Sequence, residues 1–75
     1  MSLTAQCAIA MLEAYGVVGV TIEQAYNPAW MAYDYVVKFL DRAPCLVRID
    51  HHPHPIAEVD AMQITEAVLE HLTNE

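Results

Sequence analysis

Three of the four histidines of this chain stand together in the stretch IDHHPHPI, residues 49–56. Imidazole nitrogen binds zinc and nickel well, and a structural zinc site needs about four ligands in a tetrahedron. His51, His52 and His54 therefore suggest a metal site that His71 or a second copy of the chain would complete. His52 and His54 share an ion most easily, because alternate side chains of an extended segment point the same way.

The letters IDHHP, residues 49–53, are similar to the Asp-His-His-Pro motif of a family of manganese-dependent phosphoesterases. The resemblance implies that Asp and His of this motif work with acidic and histidine residues from other strands, and that a glycine-rich segment holds the substrate phosphate. The rest of the chain departs from this pattern, since it has two glycines and no Asp-x-Asp pair. We therefore predict no enzymatic activity, no catalytic residues and no cofactor.

Two other interpretations of the histidine stretch need no metal. Protonation of all four histidines would change the formal charge by four, from −7 to −3, in the pH range over which cells vary. Pro53 and Pro55 fix their own φ angles and favour extended backbone at the residues before them, which makes a stiff connector. We favour the stiff connector, which can still be a recognition surface because it loses little entropy on binding.

The charge balance restricts the partners of the chain. Ten acidic residues against three basic ones give a formal charge of −7, which repels a phosphate backbone and argues against direct nucleic-acid binding. The same charge suits a partner with a basic surface, including proteins that themselves hold nucleic acid. The alternative is that the charge only keeps an apolar chain soluble.

The apolar content exceeds what one small domain buries, since 56% of the 75 residues are apolar. The excess apolar surface is expected to meet a second copy of the chain or a protein partner, and a homodimer is the predicted state. A membrane helix is not predicted, because the longest nearly apolar stretch, residues 7–22, is too short and contains Glu13. No Lys or Arg precedes Lys38, so we expect no secretory signal and a cytoplasmic protein. Cys7 and Cys45 are predicted to be unpaired packing thiols.

Three segments are predicted to be helices, namely residues 2–15, 28–42 and 55–73. Ser2 or Thr4 can cap the first, whose surface is apolar nearly all round. The last is an ordinary amphipathic helix with an acidic outer face. The first helix is therefore expected at the buried centre of the bundle and the last at its solvated wall.

The middle helix is predicted from its ends. Asn27 is a good cap, Pro28 suits the first helical position, and Pro44 closes the segment. Asp34 and Lys38 have the favourable acid-before-base spacing of a helical ion pair.

The remaining segments give weaker signals. The letters CLVRID, residues 45–50, alternate in polarity as a short strand does, with residues 17–22, a second copy or nothing as its partner. Thr21 and Gln24 match a capping box, which favours a loop and a turn over a strand at residues 17–24. We therefore predict a mainly α fold, a small bundle of three helices with a possible minor strand pair, and α+β as the alternative.

Function follows from size and charge. We predict a non-enzymatic acidic protein that binds a larger protein as its regulator or inhibitor, by analogy with phage and mobile-element inhibitors such as anti-CRISPR proteins and nucleic-acid mimics. The alternative is a metal-binding or metal-sensing homodimer that uses the histidine cluster. The residues predicted to contact a partner are Trp30, Tyr33, Asp34, Asp50, His52, His54, Glu66 and Glu70.

Overall fold

The structure is a computed structural model that describes residues 2–50 and 56–74, with only the backbone of Asp50. The three strands form one antiparallel sheet with β2 in the centre, and the fold is α+β, so the predicted three-helix bundle is wrong. The elements in chain order are α1 (Leu3–Ala14), β1 (Thr21–Asn27), β2 (Ala32–Lys38), β3 (Cys45–Asp50) and α2 (Ala57–Thr73).

Helices α1 and α2 confirm the first and last predicted helices. At the start of α1 the Ser2 hydroxyl accepts a hydrogen bond from the Ala5 amide at 3.1 Å. At its end Gly16 has a φ of 85°, and the Val17 amide donates to the Leu12 carbonyl at 2.9 Å. This glycine cap satisfies the last carbonyls of the helix and turns the chain towards the sheet.

The predicted helix at residues 28–42 is wrong. Residues 28–31 form a turn, and β2 follows directly. The side-chain oxygen of Asn27 accepts a hydrogen bond from the Ala29 amide at 3.1 Å, a turn in which Pro28 supplies the fixed φ angle. An Asn-Pro pair can open a helix or a tight turn, and here it opens a hairpin.

Strand β2 shows why this segment is not helical. Tyr35 and Val37 are buried in the core, whereas Asp34 and Lys38 lie on the other side of the sheet. Aromatic and β-branched residues suit such a pleated, half-buried surface. The predicted helical ion pair between Asp34 and Lys38 is therefore replaced by pairs to neighbouring strands.

The prediction of a loop and turn at residues 17–24 holds for residues 17–20 and is wrong from Thr21, where β1 begins. Ile22 of this strand is buried opposite Val37 of β2. The predicted strand β3 is confirmed, but it pairs with β2 and with none of the partners considered for it. Pairing with β2 satisfies the backbone of both edge strands on one side.

Both helices pack on the same side of the sheet and run in the same direction. The Thr65 hydroxyl lies 3.7 Å from the Met11 sulfur, and Leu72 shares a cavity wall with Val17 just after α1. Residues further along α1 thus contact residues further along α2, which shows that the two helices are parallel. The core between helices and sheet comprises Ala5, Ala8, Leu12, Val20, Ile22, Tyr35, Val37, Val47, Ile49, Ala61, Ile64 and Val68.

Tyr35 carries a polar group into this core. Its side chain is buried, and burial raises the pKa of its hydroxyl. A hydrogen bond with Thr4 opposes this increase, while the nearby charge of Asp60 adds to it. The hydroxyl thus links the first turn of α1 to the central strand and lies near Asp60 in the first turn of α2.

Candidate protein-binding surfaces

The predicted partner-binding residues that the structure describes lie in three places. Trp30 and Asp34 both contact Arg48 on the side of the sheet that faces away from the helices. Tyr33 lies on the opposite side of the sheet, half-buried. Glu66 and Glu70 are exposed on α2. The structure therefore brings together Trp30 and Asp34 and separates them from the other three.

We call the side of the sheet that faces away from the helices the sheet surface. Neither α1 nor α2 covers it. Two of its rows cross all three strands, Glu23–Val36–Leu46 and Ala25–Asp34–Arg48. Its members are Glu23, Ala25, Trp30, Asp34, Val36, Lys38, Leu46 and Arg48.

An ion pair and an aromatic ring occupy one part of the sheet surface. The Arg48 guanidinium donates twice to the Asp34 carboxylate, from Nε at 2.6 Å and from Nη2 at 3.3 Å. Its carbon lies 5.2 Å from the centre of the Trp30 ring, a cation–π contact. Asn27 donates a further bond to Asp34 at 3.3 Å. The bonds from Arg48 hold the pKa of the Asp34 carboxyl below its ordinary 3.8.

The rest of the sheet surface combines exposed apolar groups with a second ion pair. Trp30 is 65% exposed and Leu46 is 60% exposed. Lys38 donates to Glu23 at 2.9 Å across the β1–β2 pair. The sheet surface is thus apolar in patches and its charges are balanced in pairs.

A groove between the two helices is the second candidate, and we call it the helix groove. It has a volume of about 140 Å³. Thr65 turns its hydroxyl inward, where it donates to the Ala61 carbonyl at 2.8 Å. The groove is lined by Met11, Tyr15, Met62, Thr65, Glu66 and Leu69. Methionine side chains are flexible and polarisable, so such a wall adapts to apolar groups of different shape.

Charge is divided unequally between the two sides of the molecule. Each of the three basic residues is in an ion pair on the sheet or its loops, and the third pair joins Arg42 to Asp41 at 3.3 Å. Neither helix contains a Lys or Arg. The exposed acidic residues of the helices are Glu13, Glu58, Glu66 and Glu70. The excess negative charge therefore lies largely on the helical side.

A larger cavity lies at the C-terminal ends of the helices, with a volume of about 480 Å³. The Leu40 side chain packs closely against Gly19 at this cavity. A Cβ atom added to Gly19 would lie 2.5 Å from the end of the Leu40 side chain. Its polar groups are Asp41 and Arg42, which bond to each other. The lining residues are Gly16, Val17, Val18, Phe39, Leu40, Asp41, Arg42 and Leu72. Because Asp41 and Arg42 bond to each other, this cavity is better suited to the packing of apolar groups than to catalysis.

The predicted metal site cannot be described in the same way. His51, His52 and His54 and the side chain of Asp50 lie outside the described residues. Within residues 2–50 and 56–74 no group of three His, Cys, Asp or Glu side chains is arranged to hold a metal ion. The metal-binding homodimer therefore stays a prediction from the sequence.

Cys7 and Cys45 are free thiols, each half-buried against the core. Burial raises the pKa of the Cys45 thiol. This arrangement confirms the predicted packing role of both cysteines, and a neutral buried thiol is a poor nucleophile.

Comparison with protein-family models, with curated proteins and with solved structures gave no match. The comparisons thus give no support to the predicted role as a regulator or inhibitor. In the part of the chain that the structure describes, neither helix is long and apolar enough to cross a membrane.

Two parts of these surfaces were not predicted. The alternating polarity of residues 45–50 predicted a strand, but the contacts of Arg48 with Trp30 and Asp34 depend on the register of three strands. The groove between Met11 and Met62 was not predicted either. The sequence did contain one signal for this groove. Helix α1 is apolar nearly all round, and some of that apolar surface must stay at the exterior of so small a domain.

Proposed function

We propose that this protein acts without enzymatic chemistry, by binding a larger protein that presents a basic, partly apolar surface to the helical side. The observation that carries this proposal is the segregation of charge: Lys38, Arg42 and Arg48 are each paired with a carboxylate on the strands or in the loop after β2, and neither helix contains a Lys or Arg.

This segregation matters because ion pairs cancel each other at a distance, whereas uncompensated carboxylates do not. A surface of one sign attracts an opposite partner over about 8–10 Å at physiological ionic strength. Glu66 and Glu70 are one turn apart on α2, so they repel each other and lower the stability of an isolated helix. The repulsion is relieved when a cationic partner is bound.

The helix groove supplies the apolar half of the interface. Met11 and Met62 face it from different helices, and Glu66 stands at its edge. An apolar groove with an acidic edge fits an amphipathic helix that has basic residues beside its apolar stripe. The two surfaces are chemically complementary. The basic residues of the bound helix would lie against the acidic edge of the groove while its apolar stripe packs against the methionines.

The test compares two charge reversals with identical net charge. Glu66→Lys changes the groove edge and Glu23→Lys changes the sheet surface, and each moves the formal charge by two, from −7 to −5. The probe is a synthetic amphipathic helical peptide of lysine and leucine, titrated calorimetrically at about 0.15 M salt. We expect Glu66→Lys to weaken binding by about tenfold, because it replaces a close attraction by a repulsion.

The control Glu23→Lys should change the affinity of the peptide by less than about threefold, since this site is on the far side of the molecule. Equal weakening by both variants would show that the peptide responds to net charge and not to the groove. Failure of the wild-type protein to bind the peptide at all would also reject the proposal. Circular dichroism of both variants shows whether they remain folded.

A further inference from the structure

The sheet surface raises a separate question, because a helix layer covers only one side of this sheet. The other side carries exposed Trp30 and Leu46, and Met31 beside it is 64% exposed. Large exposed apolar side chains that are bordered by polar groups are typical of an interaction site. The proposed basic partner does not explain them, since it binds the opposite side.

Charge indicates which partner fits the sheet surface. Two copies of a chain with a formal charge of −7 repel each other, most strongly if their helical sides meet. The sheet surface is different, because Lys38 is paired with Glu23 and Arg48 with Asp34. Among the side chains that the structure describes, it offers two acidic and two basic groups beside apolar ones.

We infer that the sheet surface is the interface of a homodimer, in which two copies pack sheet against sheet. A two-fold axis brings the same patch of both copies together, so the patch must complement itself. The two described ion pairs of the sheet surface, Lys38 with Glu23 and Arg48 with Asp34, meet this condition because each offers both signs of charge to a second copy. In this arrangement the acidic helices of both copies point away from the interface, where they repel each other least.

The size of the surface fits a concentration-dependent dimer. Three strands of about seven residues span about 24 Å by 14 Å, or roughly 340 Å², which is about half of a broad side of a molecule whose extents are 33 × 22 × 21 Å. Trp30 extends this area at the hairpin turn. A standard interface takes about 800 Å² from each partner, so this one is smaller than standard, as in weak, transient dimers.

The experiment measures the mass of the untagged protein by sedimentation between about 1 and 500 µM, for the wild type and two matched variants. Leu46→Gln and Met62→Gln each replace an exposed apolar side chain by the same neutral polar one, on the sheet surface and in the helix groove. We expect a monomer–dimer equilibrium for the wild type. Leu46→Gln should raise its dissociation constant at least tenfold, and Met62→Gln should change it less than about twofold.

Trp30 gives an independent signal, since it is the one tryptophan of the sequence. On dimerisation its fluorescence should shift to shorter wavelength and become less accessible to acrylamide. The Leu46→Gln variant should show neither change over the same concentrations. Its unfolding by urea, compared with that of the wild type, establishes that the variant is folded.

Three results would overturn the inference. One is a wild type that remains monomeric up to the highest concentration. Another is a dimer that Met62→Gln dissociates and Leu46→Gln does not, which would assign the interface to the helices. The third is a dimer unaffected by both variants and silent in Trp30 fluorescence, as expected for pairing along a strand edge.

Discussion

The sheet surface and the helical side of this molecule differ in how they carry charge. On the sheet surface, Arg48 and Lys38 are each bonded to a carboxylate of a neighbouring strand. On the helices, Glu66 and Glu70 have a like-charged neighbour one turn away. One side therefore has little net charge and the other most of the excess. Among the described residues, the acidic charge without a basic partner thus lies mainly on the helical side, so the two sides would suit different partners.

The largest predicted change in stability tests whether the sheet surface lies outside the core of the monomer. Leu12 is fully buried, and Leu12→Ala should lower the free energy of unfolding by about 2–5 kcal/mol. Leu46→Ala should change it by less than about 0.5 kcal/mol in dilute protein, because Leu46 is exposed there. Urea unfolding followed by circular dichroism measures both. Similar losses for the two variants would mean that the sheet surface is already covered.

A second prediction concerns the hairpin turn at the end of the sheet surface. Met31 has a φ of 47°, a left-handed conformation that glycine adopts without strain. Met31→Gly should raise the free energy of unfolding by up to about 1 kcal/mol, after the entropy cost of glycine is subtracted. Ala29→Gly in the same turn is the control and should lower it slightly. A loss of stability in Met31→Gly would show that the side chain contributes more packing to the monomer than its exposure suggests.

If Met31→Gly is more stable as a monomer and dimerises less well, the strained residue is retained for its apolar side chain. Strained residues that persist in a fold commonly serve a binding site. The two measurements together therefore separate the stability of the sheet side from its role in association.

The smallest change in stability is predicted for the removal of one negative charge, which should lower stability on the sheet surface and raise it on the helices. Asp34 has a lowered pKa because Arg48 bonds to its charged form, so its stabilising contribution is present above the ordinary value of 3.8. That contribution is lost as the pH falls through the lower pKa of the folded state. Asp34→Asn should therefore lower stability at neutral pH and flatten the loss of stability in acid.

Glu70→Gln is the matched control on the helices. It removes repulsion from Glu66, so stability at neutral pH should rise slightly. Urea midpoints from about pH 2 to pH 7 measure both variants. If Asp34→Asn and Glu70→Gln changed the stability at neutral pH in the same direction, this would contradict the electrostatic difference between the sheet surface and the helical side.

The sequence predicted those elements whose signals are local. An N-terminal cap and a glycine stop delimit α1, apolar residues at helical spacing indicate α2, and alternation indicates β3. Strands β1 and β2 were missed because their identity depends on pairing with each other. Asn27 and Pro28 begin a helix or a turn equally well in isolation, and the buried neighbours of Tyr35 decide between them.

The candidate surfaces were predictable to a smaller extent. Trp30 and Asp34 were expected to bind a partner from residue type alone, and the structure places both on the sheet surface. Arg48, which connects them, could not be identified without the strand register. The groove between Met11 and Met62 depends on helices that are 40 or more residues apart in the chain, and no local pattern reports which of their faces meet.

The parallel direction of the two helices has an electrical consequence. The macrodipoles of two parallel helices add, so together the helices contribute a dipole whose negative pole lies at their C-terminal ends. Glu13, Glu66 and Glu70, all in the C-terminal halves of their helices, strengthen that pole. In the field of a cationic protein the molecule experiences a torque before any contact is made. The proposed cationic partner would therefore be attracted towards the C-terminal half of the helical side, which contains the helix groove.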